Sequence, residues 1–201
     1  MPESSARWVL PGEPLPVRLM NTVWADTAGV HDDLTTATAL RGWLTDVAGS
    51  DPGSGPGVDP TPAELTEARA LRDSLRRVAA FVTDDQRPAA RSPVASVDTA
   101  VADINAMAAD QPWPALLRRG DELRREAVAH APPVRTALAG LAAQAIDLLT
   151  GPSAGALRAC HAPHCVLYFV KSHPRREWCS QACGNRVRAA RHYRRIRSGR
   201  Q

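Results

Sequence analysis

The residues best suited to chemistry are four cysteines, the only ones in the chain, which lie within one 24-residue window. Cys160 and Cys165 form a first pair with four residues between them, and Cys179 and Cys183 a second pair with three between them. Two close pairs joined by about a dozen residues are typical of a four-thiolate zinc site. Four thiolates complete a tetrahedral shell, so the spacing predicts one structural Zn²⁺ with no open position for water or substrate.

Other interpretations of this window are open at this stage. The thiols could be unrelated to one another or form disulfides, and His161 and His164 lie close enough in sequence to act as ligands. Neither pair has the Cys-x-x-Cys spacing of redox motifs, which disfavours a redox role. A unit of about 40 residues buries little apolar surface, and zinc binding can supply roughly 10–16 kcal/mol to such a fold.

The segment that follows the last cysteine has the spacing of a cationic helix. Arg188, Arg191 and Arg195 fall on one face, while Val187 and Ala190 lie on another that would point towards the metal. The candidate nucleic-acid-binding residues are Arg186, Arg188, Arg191, Arg194, Arg195 and Arg197. His192 and Tyr193 would add hydrogen bonds to phosphate or stacking on bases. A solvated terminal helix without a specific partner is the plain alternative.

Charge is distributed unevenly between this tail and the rest of the chain. Residues 158–201 carry eleven basic side chains against Glu177 alone, a net charge of +10, whereas the remainder is −6 because the whole chain is +4. A cationic tail on an acidic body indicates a polyanionic partner for the tail.

Several functional classes are disfavoured by what the sequence lacks. No stretch approaches the roughly 20 apolar residues of a membrane span, and no secretory signal is visible at the N-terminus, which predicts a cytoplasmic location. No catalytic residue is predicted, because His173 has no acidic partner nearby except Glu177.

The positions before residue 151 predict a mainly α-helical domain with small β-hairpins. Helices are expected at 36–47, from the capping box that begins at Thr61, from Ser92-Pro93 and from Pro132-Pro133; a hairpin is expected at 113–130, and a loop at 51–57. The segment at 15–24 fits either a helix or a strand. The Gly- and Pro-rich stretch at 151–155 predicts a boundary between two units that behave separately.

After this boundary the sequence predicts a treble-clef-like zinc module. A cysteine knuckle at 160–165 precedes an apolar strand at 166–170, a second strand returns and ends at Glu177-Trp178, and a helix capped by Ser180 follows.

The run Cys183-Gly184-Asn185-Arg186, within residues 178–193, resembles the CGNR zinc finger of bacteria, and residues 158–165 match its first half. Residues 18–24, 33–44 and 71–76 resemble the ABATE domain that usually precedes this finger. The resemblance spans nearly the whole chain and implies a stress-induced transcriptional regulator: a helical sensor-like domain at 1–150 joined to a DNA-binding zinc finger at 156–201. The four cysteines carry over as zinc ligands, but no DNA-reading residue does.

Two further expectations concern partners. Asn21, Thr22, Trp24 and His31 form a polar and aromatic group that is a candidate small-molecule effector site, although core packing and turn formation explain the same residues. DNA is the expected partner of the tail. The alternative is an RNA-binding or protein-docking zinc module, and a homodimer is compatible with either function.

Overall fold

The computed structural model describes residues 10–48 and 59–198, and the loop predicted at 51–57 lies outside them. Its α-helices are α1 (Leu15–Met20), α2 (Ala37–Ala48), α3 (Pro62–Val82), α4 (Val97–Ala108), α5 (Pro133–Thr150) and α6 (Gln181–Ser198). Its strands are β1 (Val23–Ala25), β2 (Val30–Asp32), β3 (Trp113–Arg119), β4 (Glu122–Val128), β5 (Leu157–Ala159) and β6 (Tyr168–Val170). Each strand pairs antiparallel with its neighbour in sequence, which gives three two-stranded sheets. The mainly α-helical fold with small hairpins is confirmed.

Helix α3 begins where the sequence predicts. The Thr61 hydroxyl accepts a hydrogen bond from the amide of Glu64 at 3.2 Å, and the Glu64 carboxylate accepts one from the amide of Thr61 at 2.7 Å. This reciprocal pair is a capping box, and Pro62 occupies the first helical position, where its missing N–H costs nothing. Two arginines of α3, Arg72 and Arg76, lie on its buried side.

The helix predicted to open at Ser92-Pro93 begins later, as α4. The Ser92 hydroxyl donates to the carbonyl of Asp73 at 2.7 Å, which links the preceding loop to α3. Ser96 is the residue that caps α4, since its hydroxyl accepts from the amide of Thr99 at 3.0 Å. The helix is therefore confirmed, but its predicted start is wrong. Serine is a common N-cap residue, and this segment contains two serines, of which Ser96 and not Ser92 caps the helix.

The remaining body elements follow the sequence closely. For the segment at 15–24 the sequence fits either a helix or a strand, and the structure contains both: α1 occupies its first part and β1 begins near its end. The hairpin at 113–130 is confirmed as β3 and β4, with Trp113 opposite Val128 and Gly120 at φ +63° in the turn. Helix α5 starts at Pro133 as predicted and ends at Gly151.

One core joins the body to the C-terminal module. The buried side chains of α1 to α5 pack together with Leu157 and Ala159 of β5 and Tyr168 of β6. The two sides of residues 151–155 therefore share one core, and separate behaviour of the two units stays a prediction. The limits 1–150 and 156–201 stay predictions for the two sequence units.

Candidate metal centre and basic helix

The first cysteine pair lies in the connection between β5 and β6. Cys160 follows β5 directly, and its amide donates to the carbonyl of Leu167 at 2.9 Å, which extends the pairing of the two strands. The Cys165 amide closes the turn on the carbonyl of Ala162 at 3.0 Å. The knuckle thus lies inside the hairpin, whereas the sequence predicts it ahead of the hairpin.

The second pair lies at the N-terminus of α6. Cys179 precedes the helix, and Cys183 lies in its first turn, where its amide donates to the hydroxyl of Ser180 at 3.3 Å. The prediction of a second strand that returns and ends at Glu177-Trp178 is wrong: residues 171–180 form turns and bends and contain no strand. The hairpin partner of β6 is β5, which comes before the knuckle.

The geometry of the four sulfurs fits zinc. All four Sγ atoms lie within 4.8 Å of one another, with Cys165 to Cys179 at 3.8 Å and Cys179 to Cys183 at 3.3 Å. Four sulfurs at about 2.3 Å from a central ion in a tetrahedron would be about 3.8 Å apart. All four cysteines are buried and none forms a disulfide. The cluster is therefore a structural site for one Zn²⁺.

Electrostatics around the cluster favour thiolates at two of its members. The pKa of Cys160 is lowered to about 7 by hydrogen bonds from Cys165 and Cys179. The pKa of Cys183 is lowered further by hydrogen bonds from the other three thiols and from Arg186, whose Nη2 lies 2.9 Å from its Sγ. Hydrogen bonds within the cluster, together with burial, raise the pKa values of Cys165 and Cys179, so a bound metal ion would have to displace the protons of these two thiols.

Arg87 connects the knuckle to the body. Its Nη1 donates to the carbonyls of Cys160 and Cys165 at 2.5 and 2.6 Å, and its Nη2 donates to the carboxylate of Asp85 at 2.6 Å. The Tyr168 hydroxyl donates to the same carboxylate at 2.8 Å. Burial raises the pKa of Asp85, but the hydrogen bonds from Arg87 and Tyr168 outweigh it, and the net pKa is lowered. Charge-assisted bonds from the body therefore fix the knuckle backbone.

Arg76 makes a second connection from inside the core. Its guanidinium is 2% exposed and donates to the carbonyls of Met20, Ala90 and Val166 at 3.0 to 3.3 Å. These carbonyls belong to α1, to the loop after α3 and to the segment between Cys165 and β6. One buried cation thus satisfies three backbone acceptors from three parts of the chain.

Arg176 fixes the helix side of the metal centre. Its Nη2 donates to the carbonyl of Cys179 at 2.9 Å and to the carboxylate of Glu13 at 2.5 Å. Glu13 also accepts from the amide of Val170 in β6 at 2.8 Å. The segment before α1 therefore contacts both halves of the zinc module.

Helix α6 changes character along its length. Val187 is buried against the metal cluster, and Arg186 is half-buried with its guanidinium on Cys183. Residues 191–198, here called the distal half of α6, are all exposed. At about 100° per residue the arginines at 188, 191, 194, 195 and 197 occupy one half of the helix circumference, and His192, Tyr193 and Ile196 occupy the other. The sequence-predicted arginines are thus brought together on one face, except Arg186, which serves the metal centre.

The four candidate effector-site residues divide into a buried pair, Asn21 and Thr22, and a stacked pair, Trp24 and His31. Asn21 is buried, and its side-chain amide exchanges hydrogen bonds of 2.9 and 3.0 Å with the backbone of Tyr168. Thr22 is buried and donates to a carbonyl of α1 at 2.8 Å. Trp24 and His31 stack across β1 and β2 with ring centroids 4.2 Å apart. Asn21 therefore anchors β6 to the body, and the effector remains a prediction.

Comparison with protein families is consistent with this architecture. Residues 13–152 match the ABATE model, described as "putative stress-induced transcription regulator", and this match covers more than half of the chain. The chain belongs to the ABATE family. Residues 156–196 match the CGNR zinc finger, which contains the metal centre and most of α6. The search of curated proteins gave no match. Among the described residues of this ABATE-family chain, no helix is long and apolar enough to cross a membrane.

The ABATE residues that hold the CGNR finger were missed at the sequence level. Arg76, Arg87 and Glu13 have no sequence proximity to the cysteines. One signal was present: Arg72 and Arg76 are four residues apart in phase with the buried stripe of α3, which also contains Ala68 and Ala79. An arginine in phase with a buried face needs internal partners, and this predicts a buried guanidinium.

Proposed function

We propose that the chain is a DNA-binding transcription regulator whose distal half of α6 binds the phosphates of duplex DNA. The proposal rests on one observation about that segment: its arginines lie on one half of the helix circumference, all of its side chains are exposed, and its N-terminal end continues from the packed metal centre. A helix that served the core would have a packed face, and this segment has none among the described residues. Clustered arginines on an exposed helix supply phosphate contacts without further rearrangement of the fold.

The zinc centre has a positioning role in this proposal. The four cysteines would hold the ion between the knuckle and the first turn of α6, and this would fix the direction in which the helix leaves the body. Arg87 donates to the knuckle carbonyls, and Arg176 donates both to the Cys179 carbonyl and to the carboxylate of Glu13, so contacts with the ABATE region position both sides of the centre. Because the helix is already oriented before DNA binds, association does not have to offset the entropy cost of ordering a mobile finger. The proposed role is binding and not catalysis.

Selection from fragmented genomic DNA tests this function. The full zinc-loaded chain should enrich duplex fragments from promoter regions, and a variant with Arg191, Arg194, Arg195 and Arg197 all changed to Gln should not. Total RNA of similar length in parallel is the competitor. Equal enrichment by the variant, or preferential retention of RNA, would contradict the proposal. A homodimer, a small-molecule effector and a cytoplasmic location stay predictions.

A further inference from the structure

A cleft of about 350 Å³ lies between residues 175–178 and the first turns of α6, on the outer side of the metal centre. Its lining includes Arg175, Arg188, Trp178, Gly184 and Glu177. Arg175 and Arg188 are exposed, so the cleft opens to solvent between two cations.

Gly184 shapes this cleft through the space it leaves. A Cβ at this position would lie 3.2 Å from Cδ1 of Trp178, which is closer than most side-chain contacts, and 3.4 Å from Nη1 of Arg188, which is an ordinary van der Waals distance. Glycine therefore lets the Trp178 indole pack closely on the helix backbone. Asn185 adds to the arrangement, because its Oδ1 accepts a hydrogen bond from Nη2 of Arg188. The Gly-Asn pair of the motif thus builds the cleft, while Cys183 and Arg186 build the metal centre.

Among the described residues neither exposed cation of the cleft forms an ion pair, although Arg188 donates a hydrogen bond to the neutral amide of Asn185. Arg176, the neighbour of Arg175, is occupied by Glu13 and backbone carbonyls. In contrast, the guanidinium of Arg175 makes no hydrogen bond or ion pair within residues 10–48 and 59–198. Glu177 is the one acidic side chain among the lining residues, so the cleft is cationic but carries one opposing charge.

The cleft also continues the arginine face of α6. Arg188, Arg191 and Arg195 are three and four residues apart, a spacing that places successive side chains about 5–6 Å apart on a helix. A polyanion that lies on the distal half of α6 would therefore reach Arg188 and the cleft next.

We propose that this cleft is a phosphate subsite of the DNA-binding surface, in which Arg175 and Arg188 together bind one phosphodiester and Trp178 packs against the adjoining sugar. Asn185 is a positioning residue that orients Arg188. The inference rests on the proposed function, because the phosphate belongs to a strand held by the distal half of α6. It extends the contact surface from the helix onto the segment before Cys179.

The test is fluorescence anisotropy of a labelled 20-base-pair duplex with the full zinc-loaded chain over a series of salt concentrations. The double variant Arg175→Gln, Arg188→Gln should bind about five- to tenfold more weakly and reduce the log–log salt slope by about one. Glu177→Gln should bind two- to fivefold more tightly, since it removes the opposing charge. Asn185→Ala should weaken binding about threefold with unchanged zinc content.

Arg158→Gln is the matched control, because Arg158 is exposed in the same module and, within the described part of the chain, its guanidinium bonds only to backbone carbonyls of 155 and 157. It should change affinity less than twofold. If it weakens binding as much as the double variant Arg175→Gln, Arg188→Gln does, general charge explains the effect and the subsite is refuted. If the distal α6 variant loses binding while the cleft variants do not, the subsite alone is refuted. Absence of duplex binding by the unaltered chain would overturn the proposed function itself.

Discussion

The base of the zinc module and the distal half of α6 are neighbours along one helix, yet they are built in opposite ways. At the base, four cysteines and Val187 are buried, and the carbonyls of three of the four ligands accept hydrogen bonds from Arg87 of the body and from Arg176 of the module itself. In the distal half every side chain is exposed, and Tyr193 reaches 67% exposure. A fixed base with a free end is what a binding element needs, since it orients the helix without occupying its surface.

The distal half of α6 also carries an electrostatic cost that the base does not. Arginines at 188 and 191, at 191 and 195, and at 194 and 197 lie one helical turn apart, and like charges at this spacing destabilise a helix by about 0.2–0.5 kcal/mol per pair. The favourable interaction of cations with the helix C-terminus offsets part of this. A short helix is marginal alone, so the distal half depends on its base and on a polyanion that neutralises the repulsion.

Loss of metal should have the largest effect, and it tests how firmly the base is joined to the body. Cys179→Ser, or chelation, should lower the stability of the whole chain by several kcal/mol, because structural zinc contributes on the scale of about 10–16 kcal/mol in small fingers and β5 and β6 share the main core. Thermal unfolding followed by circular dichroism, with metal analysis, measures this.

The control for that experiment is His161→Ala, since His161 is exposed in the knuckle and is not part of the sulfur cluster. It should keep one zinc per chain and an unchanged melting temperature. A melting curve of the body that chelator leaves unaltered would show that the module is independent after all.

Removal of the Arg76 guanidinium should have the next largest effect. Arg76→Met leaves three carbonyls without their donor, and each unsatisfied buried acceptor costs about 1–3 kcal/mol. We expect a loss of about 3 kcal/mol or more in urea unfolding. Arg77→Met, at the adjacent and less buried position, should cost under about 1 kcal/mol. Equal losses for both variants would contradict the claim that the three hydrogen bonds of Arg76 stabilise the fold.

Hydrogen exchange should show a smaller and local difference within α6. Amides at 184–187 should exchange slowly, and those at 192–198 at least about tenfold faster, because only the base is packed. Duplex DNA should slow the distal amides and leave those of α5 unchanged. Uniform protection along α6 without DNA would mean that some other surface already holds the distal half.

The sequence predicts the elements whose signals are local and misses those that depend on distant contacts. The cysteine spacing identifies the metal ligands, and the capping box at Thr61 locates α3, because in both cases all partners lie within a few residues or a single cluster. The start of α4 was wrong because Ser92 has the residue type of a cap but bonds to Asp73 of α3. The Gly- and Pro-rich stretch at 151–155 and the charge difference suggested a separate tail. Neither signal reports that the apolar strands β5 and β6 pack into the body.

The central claim, that a cationic helix held at its base by zinc binds DNA, is tested most directly by the salt dependence of duplex binding. If the five exposed arginines at 188, 191, 194, 195 and 197 each neutralise one phosphate, the log–log slope for the unaltered chain should be about −4 to −5. Changing Arg191, Arg194, Arg195 and Arg197 to Gln should flatten it by about three to four, with zinc content and melting temperature unchanged. An unchanged slope in that variant would contradict the claim.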